Sequence, residues 1–311
     1  MIGQTFQFPV EITLIEWIQQ MLLNAPSIVT ILSLLTELGD AAVAAVFIGF
    51  LYFGYDKKSA ICLAIQSLAS MSFNGIIKNL VMRRRPYFDN EGIECLKAVD
   101  DSYDIYDIAG QGFSFPSGHA NNSGSLVASL YLLFRDRKIL TCGGMLVFLV
   151  CLTRIALGVH YPSDILAGLL LGIFTSILVY YLLDHYDKKK IYLILLLAGL
   201  PGFYFCHSND FYSSYGLLIG FTMGDLFEDR FVGFESTQNF FRIVLRLMGG
   251  IAIFTIVAGG LKLPFSVIFL ETDAFLPHLY RCFRYGLACF IVIGIYPYLF
   301  RYDIFKLNDR K

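Results

Sequence analysis

The sequence predicts an all-α fold, a polytopic transmembrane helix bundle of about nine spanning helices behind an N-terminal interfacial helix. Composition, run length and the placement of Lys and Arg lead there. The chain is 56% hydrophobic and only 16% charged, against about 25% charged in an average soluble domain. Its mean hydropathy is +0.62. The apolar residues fall in runs of roughly 17–25, the length that crosses a hydrocarbon core about 30 Å thick.

Residues 8–25 mix Glu11, Glu16 and Trp17 with apolar residues, a pattern that suits a helix lying in the interface; a further span is the alternative. Spans are expected at about 28–55, 58–82, 117–134, 139–158, 163–184, 190–206, 211–228, 240–262 and 279–300. Glu37, Gly39 and Asp40 interrupt the first, whose early part is therefore expected to be interfacial or bent. The chain divides accordingly into an interfacial segment (1–27), a core (28–206) and a C-terminal extension (207–311). Gly168/Gly172 and Gly216/Gly220/Gly224 place small residues on one helical face, as close helix packing requires.

Orientation follows from the basic residues of the short loops. Lys57 and Lys58, then Arg135, Arg137 and Lys138, then Lys188, Lys189 and Lys190 fall on one face of a nine-span arrangement, as do Arg230, Arg242 and the tail cations Arg301, Lys306, Arg310 and Lys311. That face is assigned to the cytoplasm. The N-terminus is then outside and the C-terminus cytoplasmic, with the cell membrane as the expected location. The opposite face carries the acidic loop from Tyr87 to Phe115, where Lys97 is the single Lys or Arg. Arg83, Arg84 and Arg85 also lie on the outer face, against the rule, and a functional use would account for some of them.

A net charge of −1 gives no support to nucleic-acid binding. The seven cysteines show no CxxC spacing, so no zinc site is expected. They are read as free thiols, with a Cys95–Cys206 bridge as the alternative. The first positive side chain is Lys57, so no basic region precedes a cleavable leader.

Three clusters place charge where a bilayer makes it costly. In the first, Lys78 and Arg85 are nearly two helical turns apart and share a face, and Pro86 ends the helix. Upstream, Gln66, Ser70, Asn74 and Lys78 recur every four residues, a polar stripe turned into the bundle. The second, Phe115-Pro116-Ser117-Gly118-His119, opens a helix whose free N–H groups suit a phosphate, with His119 beside it. The third runs from Thr153 to Asp164. Arg154 ends one span, His160 lies in the turn, and Asp164 sits in the first turn of the next, in reach of the imidazole N–H. Alone, each cluster is also accounted for by interfacial cations, a capped helix or a turn. Together they gather three cations, a helix N-terminus and two histidines, the requirements of phosphoryl transfer.

The pattern Lys-x6-Arg-Pro, Pro-Ser-Gly-His and Arg-x5-His-x3-Asp, spanning 78–164, resembles the type-2 phosphatidic acid phosphatase superfamily. That superfamily includes lipid phosphate phosphatases, glucose-6-phosphatases and vanadium haloperoxidases. The resemblance implies that His160 attacks phosphorus, Asp164 orients it and His119 protonates the leaving oxygen. It implies that Lys78, Arg85, Ser117, Gly118 and Arg154 hold the phosphate, and that no metal or other cofactor takes part. Thr153 stands where the family usually has Ser and keeps the hydroxyl. The run Arg83-Arg84-Arg85 leaves the register slightly open, though the spacing and Pro86 favour Arg85.

The expected activity is a membrane phosphatase acting on a lipid phosphate or diphosphate at the extracytoplasmic face. A soluble sugar phosphate as substrate, or transfer to an acceptor hydroxyl, are alternatives with the same residues; a transporter or lipid-binding protein would not need this constellation. In the extension, Asp225, Glu228, Asp229 and Arg230 are read as a solvated helix end, and its extra helices as a lipid-access groove or a homo-oligomer contact. His185, His207 and His278 receive no role.

Overall fold

The computed structural model describes residues 6–22, 25–266, 269–270 and 274–301; Lys306, Arg310 and Lys311 lie outside them. The described residues are mostly helical, with no strand among them. They form two compact units, Met1–Ala44 with Phe73–Leu178, and Ala45–Ser72 with Val179–Lys311.

Five stretches are long and apolar enough to cross a membrane: Lys57–Asp89, Ile139–Ala156, Pro162–His185, Phe240–Gly260 and Phe275–Phe300. Pro26–Gly39 and Ala41–Phe53 make a sixth if the pair, bent by 47°, is one span. The bend falls where the sequence placed it. Asp40 leaves the helical region, and its carboxylate accepts the Ala42 N–H at 2.7 Å, restarting the chain as a new helix. The other three expected spans are helical but shorter or more polar. One is the 17-residue helix Gly118–Phe134, diluted by Asn121, Asn122, Ser123, Ser125 and Ser129. Another breaks at Leu200-Pro201, and the third, Asn209–Phe227, runs into an acidic π-turn. The protein is an integral membrane protein, and its apolar faces fit that solvent. Leu166, Leu170 and Phe174 form a stripe 59–63% exposed, on a helix that buries Asp164, Thr175 and Ser176.

The first unit contains α1 (Pro9–Leu22), α2 (Pro26–Thr36), the C-terminal end of α4 (Lys57–Val81), the short α5 (Pro86–Asp89) and α6 (Ile108–Gln111), α7 (Gly118–Phe134), α8 (Gly144–Ala156) and most of α9 (Pro162–His185); α3 is Ala41–Phe53. A Cβ at Gly168 would run into the Ser117 carbonyl, and one at Gly172 into the Asn121 carbonyl. These two glycines therefore let α9 lie directly on the backbone of α7. Beneath, Ile15, Tyr87, Ile93, Leu157, Val159 and Tyr161 form one buried cluster.

The second unit contains α10 (Lys188–Gly199), α11 (Gly202–Phe205), α12 (Asn209–Phe227), α13 (Phe240–Gly260) and α14 (Phe275–Phe290). Gly216 and Gly220 face the Cys282 and Gly286 carbonyls, and Gly224 faces Ile293, so the expected glycine face is the seam between α12 and the helix α14 begins. The solvated helix end expected at Asp225–Arg230 is corrected for two of its four charges, Asp229 and Arg230 being exposed as expected. Asp225 and Glu228 are fully buried. Asp225 accepts from Lys188 Nζ at 3.0 Å and from the Tyr192 hydroxyl at 2.9 Å, while Glu228 pairs with Lys57 and accepts the Phe234 N–H at 2.8 Å. Local sequence shows four charges together; only the fold shows that two of them turn inward to side chains 30 or more residues away. The seven cysteines are unpaired.

Candidate active site

The segment that carries His160 is shaped by helix-terminus chemistry. α8 ends at Ala156, and Gly158 follows with φ +74°. A Cβ there would meet the Glu94 carbonyl and the Gln19 amide, which are themselves joined, Gln19 Nε2 donating to Glu94 O at 2.8 Å and Glu94 N to Gln19 Oε1 at 2.9 Å. Gly158→Ala thus combines a left-handed backbone, costing about 1–2 kcal/mol, with a steric clash. It is expected to lower the thermal midpoint in detergent by several degrees and to reduce activity, because His160 is two residues away. A midpoint within one degree of the parent would contradict this.

After Gly158 the chain hooks back, with the Val159 and His160 N–H groups both donating to the Arg154 carbonyl at 3.3 Å. α9 then starts at Pro162. Asp164 Oδ2 accepts the Tyr161 N–H at 2.8 Å while the Asp164 N–H donates to the Tyr161 carbonyl at 3.0 Å. This reciprocal pair at the first turn fixes the acid relative to His160.

His160 is buried, 2% exposed. Its Nε2 faces Arg85 Nη1 at 3.4 Å and its Nδ1 lies 3.4 Å from Asp164 Oδ2. The second contact is ionic in range but not aligned as a hydrogen bond, since Nδ1 has no hydrogen-bond partner. Burial, followed by the positive charges of Arg85, Arg154 and Lys78, holds the imidazole well below its usual pKa, and His119 adds to the effect. The ring is therefore neutral near pH 7, with a lone pair in a field of cations.

The helical face expected to carry both Lys78 and Arg85 is corrected: α4 ends at Val81, Met82 turns the chain with φ +51°, and Arg85 is extended, so backbone turn and not helical spacing aims it. Arg85 is a fixed cation. Its guanidinium donates to the Gln111 carbonyl at 2.7 and 3.0 Å, to Gly112 O at 3.2 Å and to Val159 O at 3.0 Å. Arg154, 3% exposed, donates to Thr36 Oγ1 at 3.0 Å and has no hydrogen-bond partner at Nε. Lys78 and Asn74 are buried on the last turns of α4, as the polar stripe required. Ser117 caps α7; its N–H donates to the Asp164 carbonyl at 3.0 Å, and its fully buried hydroxyl has no hydrogen-bond partner. The space beside Gly118 is open, since a Cβ there would meet nothing within 4 Å. His119, in the first turn of α7, packs against Gly39 and lies within electrostatic reach of Arg154, Lys78 and Arg85. All eight residues singled out from the sequence thus belong to the first unit, around His160.

Sequence reasoning missed the residues behind this shell. Arg83 Nη1 donates to Asp164 Oδ1 at 2.6 Å and to Ser163 Oγ at 2.7 Å, and its Nη2 to Glu11 Oε2 at 3.0 Å. Its guanidinium is sandwiched between the rings of Tyr161 and Phe6, 3.8 and 4.1 Å from their centroids. The outer-face violation at Arg83–Arg85 was the available signal, and it did not distinguish a cation facing Asp164 from one facing His160. Arg84 reaches Asp89 at 3.3 Å.

Residues 59–187 match the PAP2 superfamily, and residues 212–308 match the PAP2 superfamily phosphatase transmembrane extension. The chain is 34% identical over 130 residues to a lipid A 4'-phosphatase of Bacteroides thetaiotaomicron, covering 40% of this chain and 56% of that protein. It is 29% identical over 156 residues to undecaprenyl-diphosphatase BcrC of Bacillus subtilis, covering 49% and 72%. It is 35% identical over 86 residues to phosphatidylglycerophosphatase B of the same organism, covering 25% and 40%. The match to the first of these thus spans little more than half of that relative. No solved structure matches the chain at a significant level.

Proposed function

This chain belongs to the PAP2 superfamily, and from that premise we propose that it hydrolyses a lipid phosphate or diphosphate through a phospho-histidine at His160. The observation that carries the reading is a buried, neutral imidazole whose Nε2 is turned toward Arg85, with Arg154 and Lys78 close by.

In the first step the Nε2 lone pair of His160 forms a bond to phosphorus as the phosphorus–oxygen bond to the leaving group breaks. His119 gives a proton to the departing oxygen. Charge on the equatorial oxygens is met by Lys78, Arg85 and Arg154, the Ser117 hydroxyl and the N–H groups at the start of α7. Nδ1 keeps its proton, and the positive charge on the phosphorylated ring is supported by Asp164 at 3.4 Å. Water then attacks phosphorus, His119 takes its proton, the nitrogen–phosphorus bond breaks and phosphate leaves. The three relatives are named for lipid A, undecaprenyl diphosphate and phosphatidylglycerophosphate, all amphiphiles. The acidic loop 87–115 would repel a free anion, which favours a substrate delivered by the bilayer. The reading places the site at the extracytoplasmic face of the cell membrane, with the N-terminus outside and the C-terminus cytoplasmic.

The test is phosphate release by the purified full chain in liposomes from a panel of long-chain lipid phosphates and diphosphates beside a soluble sugar phosphate. Release is expected from at least one amphiphile, blocked by vanadate, which resembles five-coordinate phosphorus. Release from the sugar phosphate alone would overturn the lipid assignment, and appearance of the phosphate on an added alcohol would make the protein a transferase.

A further inference from the structure

The N-terminal helix lies before both family matches, which begin at residues 59 and 212, yet it reaches the back of the site. Along α1 the buried residues are Glu11, Ile15 and Gln19, one face at a spacing of four. Ile15 enters the cluster with Leu157, Val159 and Tyr161. Gln19 donates to Glu94 O, and weakly to Ala156 O at 3.3 Å. Glu11 uses both carboxylate oxygens on the site itself: Oε2 accepts from Arg83 Nη2 at 3.0 Å and Oε1 accepts the Ser163 N–H at 2.6 Å. Just before the helix, Phe6 covers the Arg83 guanidinium and meets Phe115, the residue that opens the Pro-Ser-Gly-His segment, with centroids 5.5 Å apart.

A single guanidinium thus sits between two carboxylates, and the far one also caps the N-terminus of α9. Without Glu11, Arg83 and Asp164 would be a neutralised pair with little charge left for His160. With it, the group of three carries a net charge of −1, next to a ring that becomes positive when phosphorylated. The Ser163 N–H is one of the donors that the start of α9 leaves without a helical partner, and a carboxylate there also complements the helix dipole.

We propose that Glu11 is a positioning residue of the active site, holding Arg83 and the start of α9 so that Asp164 supports His160 through the phosphorylated state. The inference rests on the phospho-histidine reading. Glu11 touches neither substrate nor reacting atoms, so its effect falls on the rate of the chemical steps and not on lipid binding.

The experiment compares the purified full chain with Glu11→Gln, Glu11→Asp and Arg83→Lys, measuring kcat and KM on a lipid phosphate that the parent hydrolyses, with the thermal transition recorded for each. His160→Ala is run in parallel. Glu11→Gln is expected to lower kcat about 10- to 100-fold, the scale known for carboxylates that orient metal-binding histidines. KM should stay within about threefold, because uniform binding is untouched. Glu11→Asp, which restores the charge on a shorter stem, recovers part of the rate. Arg83→Lys keeps the charge but cannot fork between two carboxylates, so it reproduces the loss in kcat and keeps the inference testable if Glu11→Gln does not fold. Parental kcat in folded Glu11→Gln or Arg83→Lys overturns the proposal. So does a loss that follows the thermal midpoint with no recovery in Glu11→Asp, which would mark a purely structural role. If His160→Ala itself turns over at the parental rate, the phospho-histidine reading fails and takes this one with it; a dead His160→Ala beside a normal Glu11→Gln removes only the role of Glu11.

Discussion

His160→Ala is expected to reduce phosphate release by at least about 10³-fold, the scale seen when a covalent nucleophile is removed from a concerted set of groups. The residue is buried, but alanine should be accommodated. The ring's Nδ1 makes no hydrogen bond, and the backbone turn is held independently by Arg154 O and the Asp164–Tyr161 pair. The variant should therefore keep the parental thermal midpoint and still bind vanadate weakly through the remaining cations. Measured in liposomes on the best substrate of the panel, a rate within tenfold of the parent would remove His160 from the chemistry.

Arg85→Lys is the second large effect, and it separates charge from geometry. The guanidinium spans the Gln111 and Val159 carbonyls and still presents Nη1 to His160 Nε2. A lysine keeps the positive charge but has one nitrogen, so it cannot bridge both carbonyls and also face the phosphate. Losing one fixed donor to the transition state costs about 10²–10³-fold in rate. Each buried carbonyl left without a donor adds about 1–3 kcal/mol of instability. Arg85→Lys should consequently lose both activity and thermal stability, whereas His160→Ala loses activity alone. Unchanged kcat/KM in Arg85→Lys would mean that any cation suffices at this position.

The two expectations rest on residues that were legible before any coordinates, for a physical reason. Charges inside an apolar sequence are rare, and their spacing on helices is fixed at 3.6 residues per turn. His160 with Asp164 therefore declares a shared turn without tertiary information. Lys78 and Arg85 stand out as charges in an apolar run, although the chain leaves the helix at Val81 and Arg85 is extended, so the two do not share a helical face. The bend at Glu37–Asp40 and the glycine seams were legible on the same grounds. What was not legible depends on which face meets which partner. Glu11 joins Arg83 across 72 residues and Ser163 across 152, and its local pattern is equally that of an interfacial helix. Asp225 and Glu228 read as a solvated end because Lys57, Lys188 and Tyr192, which bury them, come from other helices. Three adjacent arginines gave one register, yet the fold uses them differently: Arg85 on the His160 side, Arg83 on the Asp164 side, Arg84 on Asp89. The span count also shifted, because α7, α10 and α12 are too short or too polar to be recognised by length and hydropathy alone.

The most direct measurement is to mix the purified chain with lipid substrate carrying labelled phosphorus, quench within one turnover and locate the label on the protein. The account predicts a transient label on the peptide containing His160, stable in alkali and lost in acid as a nitrogen–phosphorus bond is, and absent from His160→Ala. Label on any other residue, or full turnover with no labelled protein at any time, would contradict it.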